Sequence, residues 1–151
     1  MKEFIGVLFC GGKGTRLGEI TKYISKSFVP VYDKPVFKYG LEALEKAKNV
    51  REIVILSNKD NYYKLKKTKY NTIIQDDKQV TDMFTGWKFV KNKLNTNKNG
   101  VLIPSDNICN IDIDYLISKF INDDADFTFS IKKLNNIKFK FHYESTRIKL
   151  W

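Results

Sequence analysis

Gly11, Gly12 and Gly14 follow an apolar run, Phe4–Phe9, and are themselves followed by Thr15, Arg16 and, ten residues beyond Arg16, Lys26. A glycine backbone has no Cβ atoms to keep an anion away, so its N–H groups can turn inward on a phosphate. The two cations supply charge suited to a triphosphate. A second apolar run, Val101–Pro104, is closed by Ser105, Asp106 and Asn107. A carboxylate beside a phosphate is repelled unless a cation lies between them, so Asp106 next to such a loop asks for a hard divalent ion. The chemistry these residue types allow is neutralisation of two anions that react with each other, without a covalent intermediate on the protein.

These residues need a scaffold, and the sequence predicts one. Phe4–Phe9 is continuously apolar with Gly6 inside it, as in a strand buried on both faces. Pro30 and Pro35 bracket Val31–Lys34 and keep that piece out of a helix. Phe37, Leu41, Leu44 and Ala47 recur at helical spacing between Val36 and Lys48. Glu52–Ser57 predicts a second buried strand, Asp60–Lys67 a short polar helix and Asn71–Gln75 a third strand. Val80, Met83, Phe84, Trp87 and Val90 predict one face of a helix ending near Lys93. NTNKNG is a turn before the Val101–Pro104 strand. Ile113, Leu116, Ile117 and Phe120 predict another amphipathic helix, capped by Asp112 or Asn110. Asp126–Lys132 reads as a further strand, Ile137–Tyr143 as a strand with one wet face, and Thr146–Trp151 as the start of another.

Alternating strands and helices imply an α/β fold: a Rossmann-like, doubly wound, mostly parallel sheet in three layers. Ligands in such folds sit at the carboxyl ends of the strands, where both the glycine loop and Asp106 fall. No internal repeat, linker or low-complexity segment interrupts residues 1–151, so a single domain is expected.

The formal charge of +10 raises the expectation of anionic partners, although a solvated Lys/Asn-rich surface is the plainer explanation. Arginine, the better reader of phosphates and base edges, occurs only as Arg16, Arg51 and Arg147, which argues against nucleic acid. Cys10 and Cys109 match no metal or redox spacing, so reduced thiols in a cytoplasmic protein are expected. The opening apolar run is too short for a signal peptide, and no segment is long enough to span a membrane.

Two familiar phosphate loops are excluded. The P-loop needs Ser or Thr after its lysine, but Lys13 is followed by Gly14. A dinucleotide fingerprint starting at Gly12 would place its third glycine on Leu17, and its ribose-binding acid where Ser57 and Asn58 stand.

GGKGTRL, then Ser25–Lys26, then PVYDKP at Pro30–Pro35, with EIVILS and PSDN further on, resembles the signature of the sugar-1-phosphate nucleotidylyltransferases, most of all the glucose-1-phosphate thymidylyltransferases. The resemblance implies transfer of a nucleoside monophosphate from a nucleoside triphosphate to a sugar 1-phosphate, with Mg²⁺ as cofactor and pyrophosphate released. It implies nucleotide-binding roles for Phe9, Gly11, Gly12, Gly14 and Thr15. Arg16 would neutralise the leaving pyrophosphate, Lys26 would stabilise the transferred phosphate, Asp106 would hold Mg²⁺, and Gln75 would read the base. The plain structural alternatives are a solvated loop lysine for Lys26, a cap of the next helix for Asp106 and a polar strand end for Gln75. His142 reads as a surface strand residue and Trp87 as part of a core-facing stripe.

The sequence also departs from that family. Gln79-Val80-Thr81-Asp82 stands where the thymidylyltransferases carry a Gly-Leu-Ala-type segment under the nucleoside. Ser27 replaces the glutamine common after the lysine, and the family's second, sugar-binding half is not matched. The expectation is a short or truncated enzyme, with a homodimer as one way to complete an acceptor pocket. The alternative is a nucleotide-binding remnant acting as a regulatory or interaction module.

Overall fold

The structure, a computed structural model, describes residues 3–12, 14, 18–108 and 111–128. The predicted strands beyond residue 128 lie outside this range, and residues 126–128 are not in a strand. Residues 1–110 form one compact unit and residues 111–151 a second.

In the first unit, strand β1 is Phe4–Cys10. It is followed by a single helical turn α1, Ile20–Tyr23, and a 3-10 turn at Lys26–Phe28. The two short strands β2, Pro30–Val31, and β3, Lys34–Pro35, pair antiparallel, so the two prolines mark the ends of a small hairpin. Helix α2 spans Phe37–Lys46, β4 Val50–Ser57, α3 Lys59–Leu65, β5 Asn71–Ile74, α4 Met83–Leu94 and β6 Asn99–Pro104. The main sheet runs β5-β4-β1-β6, and every pair in it is parallel. The α/β, mostly parallel reading of the sequence is therefore correct. Helix α1 and the 3-10 turn were not foreseen, because neither carries a long enough apolar repeat to signal itself.

Side chains on β1 alternate between the two faces. Leu44 of α2 lies against Gly6, and Gly40 of α2 against Leu8 and Ile103. On the other face Ile5, Val7, Val54 and Leu56 form a buried cluster with Phe89 and Val90 of α4, and Phe9, Trp87 and Leu102 pack on it. Helices thus cover both faces, giving the expected three layers. Each fully buried Leu, Ile or Val contributes about 1.5–3 kcal/mol, so this sandwich, not the loops, holds the unit together.

The predicted helical faces hold with one correction. Phe37, Leu41, Leu44 and Ala47 are all buried, and so is Val90, but Phe84 is 40% exposed. The inward position near it is taken by Gly86, which packs against Phe9 and Leu56. Helix α4 begins at Met83 rather than Val80 because Asp82 caps it: the Asp82 carboxylate accepts from the Thr85 N–H at 2.8 Å, and the Asp82 N–H donates to Thr85 Oγ1 at 3.1 Å.

In the second unit, helix α5 spans Ile113–Asn122, with Ile113 and Ile117 buried. Of the two predicted caps it uses Asp112, whose carboxylate accepts from the Tyr115 N–H at 2.9 Å.

Candidate active site

From β1 the chain passes one way to β4 and β5, and then returns to place β6 on the other side of β1. The carboxyl ends of β1 and β6 flank this reversal, which is where open parallel sheets leave a crevice for ligands. The Ser105 N–H donates to the Phe9 carbonyl at 3.1 Å, so the end of β6 is tied to the last turn of β1.

The glycine loop is braced from below by α3. Asn61, buried, donates from Nδ2 to the Cys10 carbonyl at 2.6 Å, and Asn58 donates from Nδ2 to the Gly11 carbonyl at 3.3 Å. Asn58 also caps α3, accepting from the Asn61 N–H at 2.8 Å. The carbonyls of Cys10 and Gly11 are thus both held from the α3 side. Gln75, just past β5, lays its amide over Gly11: a Cβ at residue 11 would collide with Gln75 Oε1. Gly14 sits at φ 66°, a left-handed conformation that glycine adopts without strain. Gly12 is open, with nothing within 4 Å of where its Cβ would be.

Three small buried groups lock the loops together. Ser27 Oγ and Ser105 Oγ meet at 2.8 Å, and both hydroxyls hydrogen-bond to the Cys10 thiol. Burial pushes that thiol up to about 12, an effect the two hydroxyls only partly oppose, so Cys10 stays protonated and inert. The chain neighbours of the two serines, Lys26 and Asp106, then meet as an ion pair with side chains 34% and 29% exposed. The pair is thus held in place yet open to an arriving ligand. Two further hydroxyls, on Ser25 and Ser57, are buried without a partner among the described residues.

Of the residues expected to act, Lys26, Asp106, Gly11, Gln75 and Phe9 come to one end of the sheet. Phe9 contributes its carbonyl to the β6 junction, while its ring packs against α4. Thr15 and Arg16 lie outside the described residues. Asp106 is not the cap of α5, since Asp112 fills that role. Asn58, Asn61, Ser27 and Ser105 were missed as site residues. The only sequence signal was position: Ser27, Ser105 and Asn58 each adjoin a strand end or a residue already singled out, and Asn61 lies in the helix that follows β4.

Among the described residues no three His, Cys, Asp or Glu side chains cluster to hold a metal. Asp106 alone fits Mg²⁺, which keeps several waters and takes one or two carboxylates together with phosphate oxygens. It fits no cation that needs an all-protein cage.

The chain resembles several proteins in sequence and in fold. It is 48% identical over 57 residues to a glucose-1-phosphate thymidylyltransferase from Xanthomonas campestris, a match covering 38% of this chain and 19% of that protein. It is 36% identical over 66 residues to a 2-C-methyl-D-erythritol 4-phosphate cytidylyltransferase from Clostridium perfringens, covering 42% of this chain and 28% of that one. Its fold superposes on a putative glucose-1-phosphate thymidylyltransferase from Bacillus anthracis with a TM-score of 0.63 at 23% identity, over 79% of this chain and 50% of the other. The chain therefore matches about a fifth of the Xanthomonas protein by sequence and half of the Bacillus protein by fold. A family model described as nucleotidyl transferase matches residues 5–138, a span that includes the glycine loop, Lys26, Gln75 and Asp106. With that match over most of its length, the chain belongs to the nucleotidyl transferase family.

Proposed function

We propose that this protein transfers a nucleoside monophosphate from a nucleoside triphosphate to a sugar 1-phosphate and releases pyrophosphate. The observation that carries the reading is the ion pair between Lys26, on the 3-10 turn, and Asp106, just past the carboxyl end of β6. A structural ion pair gains little at a partly exposed position. A cation and a carboxylate held side by side at the ligand edge suit a reaction that must manage several phosphate charges.

In this reading Gly11, Gly12 and Gly14 bind the nucleotide through backbone N–H groups, and Gln75 meets the base. An oxygen of the acceptor phosphate attacks the α-phosphorus; that P–O bond forms as the bond to the β-phosphate bridging oxygen breaks, and the electron pair leaves on pyrophosphate. Lys26 releases Asp106 and turns to the α-phosphate, where it offsets the charge that builds in the transition state. Asp106, freed, would help to hold Mg²⁺, which would supply charge neutralisation at the phosphates. Arg16 is assigned to the leaving pyrophosphate through the family resemblance.

The acceptor is the finer part of the proposal, because relatives with this fold act on different phosphorylated compounds. The test is a matrix of nucleoside triphosphates against phosphorylated acceptors, sugar 1-phosphates included, with pyrophosphate as the readout. Pyrophosphate formed with a sugar 1-phosphate, and with it best, supports the reading. Release with another acceptor alone, or with none, overturns it.

A further inference from the structure

Gln75 stands just beyond β5, its N–H donating to the Ser57 carbonyl at 2.8 Å. Its Oε1 lies against Gly11, and its Nε2 donates to Asp77 Oδ1 at 2.8 Å. A carboxylate can only accept, so it dictates which way the amide faces: nitrogen toward Asp77, oxygen toward Gly11. A flipped amide would set two acceptors against each other. Asp77 is itself held by a pinned turn. The preceding Asp76 accepts from the Lys78 N–H at 2.9 Å and from Gln79 Nε2 at 2.7 Å, and its carbonyl accepts from the N–H groups of Gln79 and Val80 at 2.9 and 2.8 Å.

An amide edge carries one acceptor and one donor. Keto bases (uracil, thymine, guanine) present an oxygen acceptor beside a ring N–H donor. Amino bases of the same ring size (cytosine, adenine) present a donor beside an acceptor at the matching atoms. For a base seated in one place, an amide free to rotate pairs with both kinds, and a fixed amide pairs with only one.

We infer that Asp77 sets the base preference of this site by locking the Gln75 amide, so that the protein separates keto from amino bases of equal ring size. The inference rests on the reading of Gln75 as the base-contacting residue. Asp77 acts here as a positioning residue and touches no substrate.

The test measures binding of UTP and CTP, each with Mg²⁺, to the full chain and to Asp77→Asn, Asp77→Ala and Gln75→Ala. An asparagine at 77 keeps the size and the hydrogen bond but accepts or donates equally, so both amide orientations become satisfied. The wild type is expected to prefer one nucleotide by about tenfold or more, the range of one bidentate amide–base contact. Asp77→Asn should reduce that preference to about threefold or less with an unchanged unfolding midpoint, and Asp77→Ala should do the same. If both Asp77 variants keep the wild-type ratio while Gln75→Ala loses it, the lock is wrong and the base-reading role of Gln75 stands. If Gln75→Ala keeps the ratio, the base reading falls and the lock with it. A wild type that binds UTP and CTP equally also overturns the inference.

Discussion

The Ser27 and Ser105 hydroxyls lie 78 residues apart in the chain and meet at 2.8 Å in the interior, directly behind Lys26 and Asp106. The two charged side chains are partly exposed; the two serines next to them are buried. The serines fix where the backbone of each loop sits, and the ion pair follows.

Either Ser27→Ala or Ser105→Ala breaks the hydroxyl pair and leaves the remaining hydroxyl only the Cys10 thiol, a weak partner, a loss of about 1–3 kcal/mol. Changing both removes that half-paired hydroxyl, and a buried thiol loses little without partners, so the double variant should be little worse than the poorer single one. Urea unfolding of the three variants measures this. A double variant whose loss equals the sum of the singles would show that the hydroxyls do not act on each other.

Lys26 already neutralises Asp106 in the free protein. Mg²⁺ alone should therefore bind weakly, and Lys26→Met should bind it more tightly without nucleotide. With substrates, Lys26→Ala should lower turnover by on the order of 10²–10³, the usual cost of one electrostatic donor, while triphosphate binding changes far less. Asp106→Asn should remove most of the gain in triphosphate affinity that Mg²⁺ brings. Calorimetric titration with Mg²⁺ and with chelator decides the binding claims, and unchanged turnover in Lys26→Ala ends its assignment.

Gly11→Ala would place a methyl group where the Gln75 amide now lies. The obstructing atoms are the far end of a flexible side chain, so Gln75 swings away and the fold survives. The expected outcome is a near-normal unfolding temperature with nucleotide affinity down about tenfold or more, since the contact between base reader and loop is lost. A variant that unfolds early but binds normally when folded would contradict this.

Cys10 offers a pH test. Its thiol holds its proton to about 12 in the folded chain, against an ordinary value of 9.0. The folded state binds more protons than the unfolded one between these values, so stability is complete below about pH 9 and falls as pH rises toward 12. In a Cys109→Ser background, the difference in stability between Cys10 and Cys10→Ala should shrink over this window. A constant difference would place the thiol in a wetter setting than its burial implies.

The β1 strand, its glycine loop and the α/β alternation were legible because each rests on a run of one residue class. Lys26 and Asp106 were legible as single residues only through their motif segments. Their contact was not, because it depends on Ser27 and Ser105, which carry no signal of their own. Phe84 shows the limit of periodicity: an apolar residue at helical spacing can stay outside when a glycine such as Gly86 lets the helix come closer. The Asp82–Thr85 cap was hidden because its N3 residue is Thr rather than the Glu or Gln that marks a capping box in sequence.

The order of strands in the sheet has a further consequence, for the way the molecule acquires its site. β1 pairs with β4 on one side and with the more distant β6 on the other. Closing the longer loop costs more chain entropy, so β6 docks against a β1–β4 pair that local contacts can form first. During synthesis the ribosome releases Lys26 well before Asp106, and until β6 arrives the lysine has no counter-charge. The glycine loop is then a bare cationic segment on a partly built sheet. The last strand of the unit to dock brings the acid that completes the pair, so the Lys26–Asp106 contact forms only when the first unit is finished.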